Sequence, residues 1–225
     1  MTARSRPSGA RGWSTAERVA LPFDRSRAGY RVAKRAMDVL ASILGLVAVS
    51  PILAVAALAV RLTSAGPILF RQLRLGQHGR PFEILKFRSM STGLAGPSVT
   101  SGGDARVTAV GRVLRRSKID ELPQLWNVLV GDMSLVGPRP ELKEFVELFE
   151  ADYARILSVR PGITDYAAVE YRDEEAVLAA SADPQAAYVK EVLPAKIKLY
   201  HRYLEEMSMK TDVTLLLRTL AALLR

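Results

Sequence analysis

From Val39 to Val60 the chain runs for 22 residues without a charge. As one straight helix this run is roughly 33 Å long, enough to reach across the hydrocarbon core of a bilayer. Pro51, preceded by Ser50, interrupts it near the middle, where a proline removes a helical hydrogen bond and crowds the preceding turn. Further on the period shortens. A turn at Gly66-Pro67, the run Ile68–Arg71, a turn at Gly76–Gly79 and the run Pro81–Phe87 predict a β-hairpin. Alternation in its second strand sets Glu83, Leu85 and Phe87 on one face and Ile84, Lys86 and Arg88 on the other, so that Lys86 and Arg88 project together. Residues 91–104 are turn formers throughout and predict a mobile surface loop.

The second half reads as helices. Leu122–Val130 is a short apolar run, and Leu142, Phe145, Leu148 and Phe149 mark an amphipathic helix. A longer helix is predicted from about Pro184 to Met207, interrupted near Pro194. A final one covers Thr211 to Leu224, with Val213, Leu216, Leu217, Leu220, Leu223 and Leu224 on one stripe expected to pack onto the body. The fold class that follows is α+β, mainly helical.

Cations flank the uncharged run on both sides, Arg31, Lys34 and Arg35 before it and Arg61, Arg71 and Arg74 after it, so charge gives no direction across a membrane. The residues alone admit a kinked spanning helix or a re-entrant helix that enters one leaflet and returns, with a buried core helix as a third option. Ahead of it, residues 1–30 are rich in Arg, Ser, Gly and Ala and predict a disordered basic arm. The expected division is therefore 1–30 basic arm, 31–62 membrane helix, 63–165 catalytic core with the hairpin, and 166–225 helical extension packed on that core.

Candidate chemistry concentrates between Ser117 and Pro140. Ser117 followed three residues later by an acid predicts a capping box, which places Asp120 and Glu121 in a first turn where free N–H groups favour negative charge. Acids there are also ordinary structural caps. Around them stand Arg112, Arg115, Arg116 and Lys118 upstream, and Arg139 held between Pro138 and Pro140 downstream. Two acids ringed by arginines suit a divalent cation bridging phosphate oxygens. Acyl transfer is a poor fit, because the chain has no cysteine and its two histidines, His78 and His201, are isolated.

Composition sharpens one point. The net charge is +9, yet residues 1–35 hold nine Lys/Arg against two acids, so the body that follows is nearly neutral. With the basic residues gathered in one arm beside an apolar run, and no concentrated surface of aromatic and basic residues, an anionic membrane is the expected partner and nucleic acid is not.

The run D-A-R-V-T-A-V-G-R-V-L-R-R-S-K-I-D-E-L-P-Q-L-W-N-V-L-V-G-D-M-S-L-V-G-P-R-P, Asp104 to Pro140, closely resembles the signature of the bacterial sugar transferases, the monotopic polyprenyl-phosphate phosphoglycosyl transferases. The resemblance extends to K-R-A-M-D at Lys34–Asp38, K-F-R-S-M at Lys86–Met90 and R-P-G-I-T at Arg160–Thr164. It implies a re-entrant helix broken at Ser50-Pro51 and a compact catalytic domain on the cytoplasmic face of the bacterial inner membrane. The implied reaction moves a phosphosugar from a UDP-sugar to polyprenyl (undecaprenyl) phosphate, releasing UMP, as the first membrane step of exopolysaccharide, capsule, O-antigen or glycoprotein assembly. In the family's proposed route the residue matching Asp120 attacks the sugar-bearing phosphorus, the residue matching Glu121 binds Mg²⁺, and Lys86, Arg88, Arg115 and Arg139 match basic substrate-binding positions. A single-step, Mg²⁺-dependent transfer without a covalent intermediate and an inactive membrane-anchored scaffold are the alternatives, and a homodimer is admitted. One departure stands out: where many members have a small residue after the Thr of R-P-G-I-T, this chain has Asp165, and Asp165, Glu170 and Arg172 either touch the sugar or are unrelated charges.

Overall fold

The computed structural model describes residues 28–223 apart from 92, 94, 95, 97 and 98. The basic arm expected over 1–30 lies outside the described residues up to 27, and residues 28–30 belong to the first turn of helix α1 (Ala28–Thr63). After α1 come an antiparallel hairpin, β1 (Leu69–Leu75) and β2 (Pro81–Phe87), then α2 (Ala109–Arg116), α3 (Gln124–Val130) and the short strand β3 (Ser134–Val136). The chain continues through α4 (Lys143–Leu148), α5 (Glu150–Ile156), β4 (Gly162–Thr164), α6 (Tyr166–Glu170), α7 (Glu174–Ala179), α8 (Pro184–Ala187), α9 (Leu193–Glu206) and α10 (Met209–Leu223).

Helix α1 runs on through Pro51. The carbonyl that Pro51 cannot bond, that of Val47, accepts instead from the Ser50 hydroxyl at 2.8 Å. Serine thus supplies the donor that the following proline lacks. Along the uncharged run Leu40, Leu44, Val47, Val55 and Leu58 are exposed, and the most apolar 18-residue window, of mean hydropathy 2.6, is only 11% buried. A helix of a soluble core buries such residues, so the third option above is set aside. Among the described residues this is the one helix long and apolar enough to cross a membrane.

The N-terminal part of α1 is fastened to the body by buried and partly buried polar contacts. The Arg35 guanidinium donates to the carbonyls of Val128 (2.7 Å) and Leu129 (2.9 Å), capping the C-terminus of α3. Asp38, fully buried, accepts from Leu135 N at 3.0 Å and Ser134 Oγ at 3.1 Å. Lys34 reaches Asp212 on α10 at 2.9 Å, and Tyr203 donates to the other oxygen of the same carboxylate at 2.8 Å. These bonds give the K-R-A-M-D motif its structural role.

Asp212 also decides how α10 rotates. A buried carboxylate must keep its partners, so the helix turns Asp212 and Leu215 inward with Leu216 partly covered. Val213, Leu217 and Leu220 are left exposed, so among the described side chains of the stripe expected to pack onto the body only Leu216 does so, those of Leu223 and Leu224 lying outside the described residues. Upstream, the interruption expected near Pro194 is a single π-helical turn, Tyr188–Val192, with Pro194 in the first turn of α9. The amphipathic run after Pro140 is divided into α4 and α5 at Phe149, whose backbone is non-helical (φ −132°, ψ 44°).

The hairpin forms as the alternation predicts, in register Leu69↔Phe87 through Leu75↔Pro81. A second pair was not anticipated. β3 and β4 lie parallel, Ser134 opposite Gly162 and Val136 opposite Thr164, each only three residues long. Their backbones are so close that a Cβ on residue 162 would lie 2.1 Å from the Gly137 nitrogen. This contact, available only to glycine, sets where the Pro138–Pro140 turn leaves the sheet. Of the loop expected over 91–104, part lies outside the described residues, and Val99 is buried in the main core.

Candidate active site

Asp120 and Glu121 sit in a 3-10 turn, Ile119–Glu121. The capping box expected at Ser117 does not form: that hydroxyl turns back to accept its place at the end of α2, donating to the carbonyl of Val113 at 2.8 Å. The helix ends there because Lys118 takes a left-handed conformation (φ 58°, ψ 14°), which redirects the chain before the acids. Pro123 then closes the turn and α3 begins at Gln124.

The two carboxylates meet opposite surroundings. Glu121 accepts from Lys86 Nζ at 2.8 Å and from both terminal nitrogens of Arg139, one at 3.1 Å and the other closer still. Burial by itself pushes the Glu121 carboxyl up, but the charges of Arg139 and Lys86 more than reverse this and hold it well below the usual carboxylate range. Asp120 is 5% exposed, and its Oδ1 has no hydrogen-bond partner among the described residues. Burial, then the neighbouring charge of Glu121, pushes its carboxyl up to about 6, against the pull of Lys86, Arg115 and Lys118. One acid is thus fixed as an anion in an ion pair. Its neighbour is a buried, unpaired carboxylate on the wall of a cavity of about 780 Å³ that also takes in Lys86, Arg115, Glu121 and Arg139.

Arg139 is placed by its own backbone as well as by Glu121. Its N–H donates to Asp165 Oδ2 at 3.1 Å, while Asp165 Oδ1 caps α6 by accepting from Ala168 N at 2.6 Å. Asp165 is therefore a buried bracket between the Pro-Arg-Pro turn and α6, not a surface charge, and burial pushes its carboxyl up to about 6. Arg172 donates to the carbonyl of Ala222 and lines the cavity, and Glu170 is exposed.

The remaining basic residues divide. Lys86 joins the acids, as the family resemblance implies; the strand alternation by itself pairs it only with Arg88. Arg88 does not project beside it: its guanidinium, 4% exposed, donates to the carbonyls of Ser64 (2.7 Å) and Pro67 at the C-terminal end of α1. Residue 88 lies just past the end of β2, so the strand's alternation no longer governs its direction. Arg115 pairs with Glu175 through Nε at 3.1 Å and its Nη2, with Ser89 Oγ at 3.4 Å. Sequence reasoning missed Glu141, Glu174, Glu175, Tyr188, Lys196 and Tyr200, all of which line the same cavity. Only Glu141, directly after the Pro-Arg-Pro turn, carried a local signal.

A sequence model of the bacterial sugar transferases matches residues 29–225. The chain belongs to this family. Among its relatives in the family, the UDP-N-acetylgalactosamine-undecaprenyl-phosphate N-acetylgalactosaminephosphotransferase of Aeromonas hydrophila is 39% identical over 202 residues, 87% of this chain and 44% of the relative. The UDP-glucose:undecaprenyl-phosphate glucose-1-phosphate transferase of Caulobacter vibrioides is 51% identical over 141 residues, 60% of this chain and 53% of the relative. The enzyme of the same name from Escherichia coli is 46% identical over 145 residues, 62% of this chain and 31% of the relative. This sugar transferase chain thus spans between about a third and a half of the length of these relatives.

Among the described residues no cluster of three or more His, Cys, Asp or Glu side chains forms a protein cage for a metal ion. The pair that is present fits magnesium nonetheless, since Mg²⁺ is commonly held by one or two carboxylates and completes its shell with water and substrate phosphate oxygens. Glu121 would be the carboxylate that holds it, and the partnerless Asp120 Oδ1 beside it leaves anionic charge that no protein donor bonds.

Proposed function

We propose that this protein transfers a phosphosugar from a UDP-sugar to a polyprenyl phosphate in the membrane, through a covalent intermediate on Asp120. An Asp120 oxygen attacks the phosphorus that bears the sugar, a P–O bond to Asp120 forms, and the bond to the bridging oxygen breaks as UMP leaves. An oxygen of the lipid phosphate then attacks the same phosphorus, freeing the carboxylate and giving polyprenyl-diphosphate-sugar. Covalent catalysis of this kind splits one transfer between two anions into two steps.

The observation that carries this reading is the contrast between the two acids. A nucleophile must have a lone pair unengaged, and Asp120, whose Oδ1 is buried without a partner, lines a cavity large enough for a nucleotide sugar. Glu121, by contrast, is held by Lys86 and Arg139, which keep cationic charge where the diphosphate lies. Glu121 would hold Mg²⁺ with the substrate's phosphate oxygens, and the ion's contribution when bound is to neutralise diphosphate charge. Arg139 and Lys86 steady the transferring phosphoryl oxygens, and Arg115, released from Glu175, is within the same cavity to meet the nucleotide's phosphates. The activities of the relatives named above support the substrate pair.

The long apolar helix gives the site its place. Anchoring of α1 to α3, β3 and α10 fixes the acids relative to the bilayer, where the lipid phosphate must lie. A re-entrant path, with the catalytic domain at the cytoplasmic face of the inner membrane, keeps both basic flanks at headgroups of one leaflet. The Ser50 hydroxyl bond to Val47 lets such a break occur without an orphan carbonyl in lipid. UMP release by the full chain in detergent, with undecaprenyl phosphate and a panel of UDP-sugars, tests the reaction; no UMP from any donor would refute it.

A further inference from the structure

Beyond the Glu121–Arg139 pair the cavity is lined by a second set of polar groups that the transfer step does not use. Glu141, 5% exposed, accepts from the Tyr188 hydroxyl at 2.7 Å and pairs with Arg74 at 3.4 Å and Lys196 at 3.6 Å. Lys196 in turn reaches Glu174 at 2.9 Å and lies over the Tyr188 ring, 5.2 Å from its centre. One helical turn further along α9 comes Tyr200, fully buried, with a hydroxyl that has no partner among the described residues. All of these residues line the cavity that holds Asp120.

This wall differs in kind from the one around Glu121. Its two cations, Arg74 and Lys196, are matched by two acids, Glu141 and Glu174, so it has no net charge for a phosphate and repels a further anion from either carboxylate. What it offers is a dense mixture of donors and acceptors in a buried setting. Sugar hydroxyls both donate and accept, and a pyranose presents several of them around a ring. A partnerless buried hydroxyl costs stability unless something bonds it, which makes Tyr200 a group waiting for a ligand atom. Arg139 connects the two walls, since it is close enough to feel the charge of Glu121 and also that of Glu174.

We infer that the wall formed by Glu141, Glu174, Lys196 and Tyr200 is the seat of the donor's sugar, and that it takes an uncharged pyranose. The inference rests on the reading of the protein as a phosphosugar transferase. With the sugar-bearing phosphorus at Asp120 and its oxygens at Arg139, the ring extends along the cavity toward this wall, and the nucleotide occupies the Arg115 side. Donor selectivity then belongs to Glu141, directly after the Pro-Arg-Pro turn, together with the segment from α7 to α9, which lies outside the sequence run that carries the chemistry.

Tyr200→Phe tests this cleanly, because the hydroxyl removed has no partner to lose in the free protein. The thermal midpoint of the full chain in detergent stays level or rises. KM for the preferred donor, chosen from UDP-glucose, UDP-galactose, UDP-N-acetylglucosamine and UDP-N-acetylgalactosamine, increases roughly 3- to 10-fold, the range of one lost hydrogen bond. Inhibition by UDP, which lacks the sugar, is unchanged. An unaltered KM overturns the inference, and so does UDP inhibition weakened by the same factor, which would assign the wall to the nucleotide. If the unsubstituted protein releases no UMP from any of the four donors, the transferase reading itself falls and takes this inference with it.

Discussion

Replacing Asp120 by asparagine removes a charge that the fold holds at a cost. The carboxyl is raised from 3.8 to about 6 chiefly by burial, and about 2 units at 1.36 kcal/mol each make roughly 3 kcal/mol of stability forgone when the group is ionised. A carboxyl that holds its proton more tightly folded than unfolded binds more protons in the native state. Its contribution to stability therefore declines as pH rises from about 4 to 6, and the full penalty is present above that window. The asparagine variant escapes the penalty. Its thermal midpoint should exceed that of the unsubstituted protein by several degrees at pH 7.5, since about 1 kcal/mol shifts the midpoint of a chain this size by roughly 2–4 °C. At pH 4, where Asp120 is protonated in the folded protein, the two midpoints should nearly coincide. Comparing the difference at the two pH values cancels groups that do not sense Asp120, such as Asp165, while Glu121, which does sense it, is held well below the usual carboxylate range by Arg139 and Lys86 in both proteins. Midpoint differences that are equal at the two pH values, or larger at pH 4, would refute the assignment of Asp120 as a strained, partnerless anion.

Glu121→Gln acts in the opposite direction. It leaves Lys86 and Arg139 partly buried without their counter-charge, and should lower stability by about 3 kcal/mol as well as abolish turnover, measured by denaturant titration and UMP release. Because Asp120 must be ionised to attack, UMP release should fall as the pH drops through the range in which its carboxyl takes up a proton; a rate that stays flat down to about pH 4 would contradict the assignment. Chelation with EDTA should stop UMP release and added Mg²⁺ should restore it, whereas turnover indifferent to EDTA would remove the cation from the mechanism.

Much of the local structure was legible because it is encoded locally. The turns at Gly66-Pro67 and Gly76–Gly79 located β1 and β2, the charge-free run located α1, and Pro194 marked the break before α9. The acids and the Pro-Arg-Pro turn were visible as residues, and the K-F-R-S-M motif marked Lys86, whereas residue parity along the strand paired it with Arg88 and said nothing of the acids. Contacts between distant segments were not legible. Ser117 fits a capping box by spacing, yet the left-handed turn at Lys118 assigns its hydroxyl to the end of α2. Arg88 belongs to the carbonyls that end α1, more than twenty residues upstream, which no pattern around residue 88 reveals. The rotation of α10 is set by Asp212 meeting Lys34 across 178 residues of chain, so apolar spacing alone picks the wrong face. The β3–β4 pair is only three residues per strand and depends on the approach of Gly137 to Gly162, too short for any periodicity. Lys196 and Tyr200 read as ordinary residues of a helix, and only the fold brings them to the cavity of Asp120.

Intact-protein mass spectrometry after incubation with a UDP-sugar and Mg²⁺, without any polyprenyl phosphate, addresses the nucleophile most directly. A mass gain equal to one sugar phosphate, mapped to Asp120, absent from Asp120→Asn and discharged on adding undecaprenyl phosphate, is the predicted result. Turnover by the same preparation with no adduct at Asp120, or substantial turnover by Asp120→Asn, would contradict it.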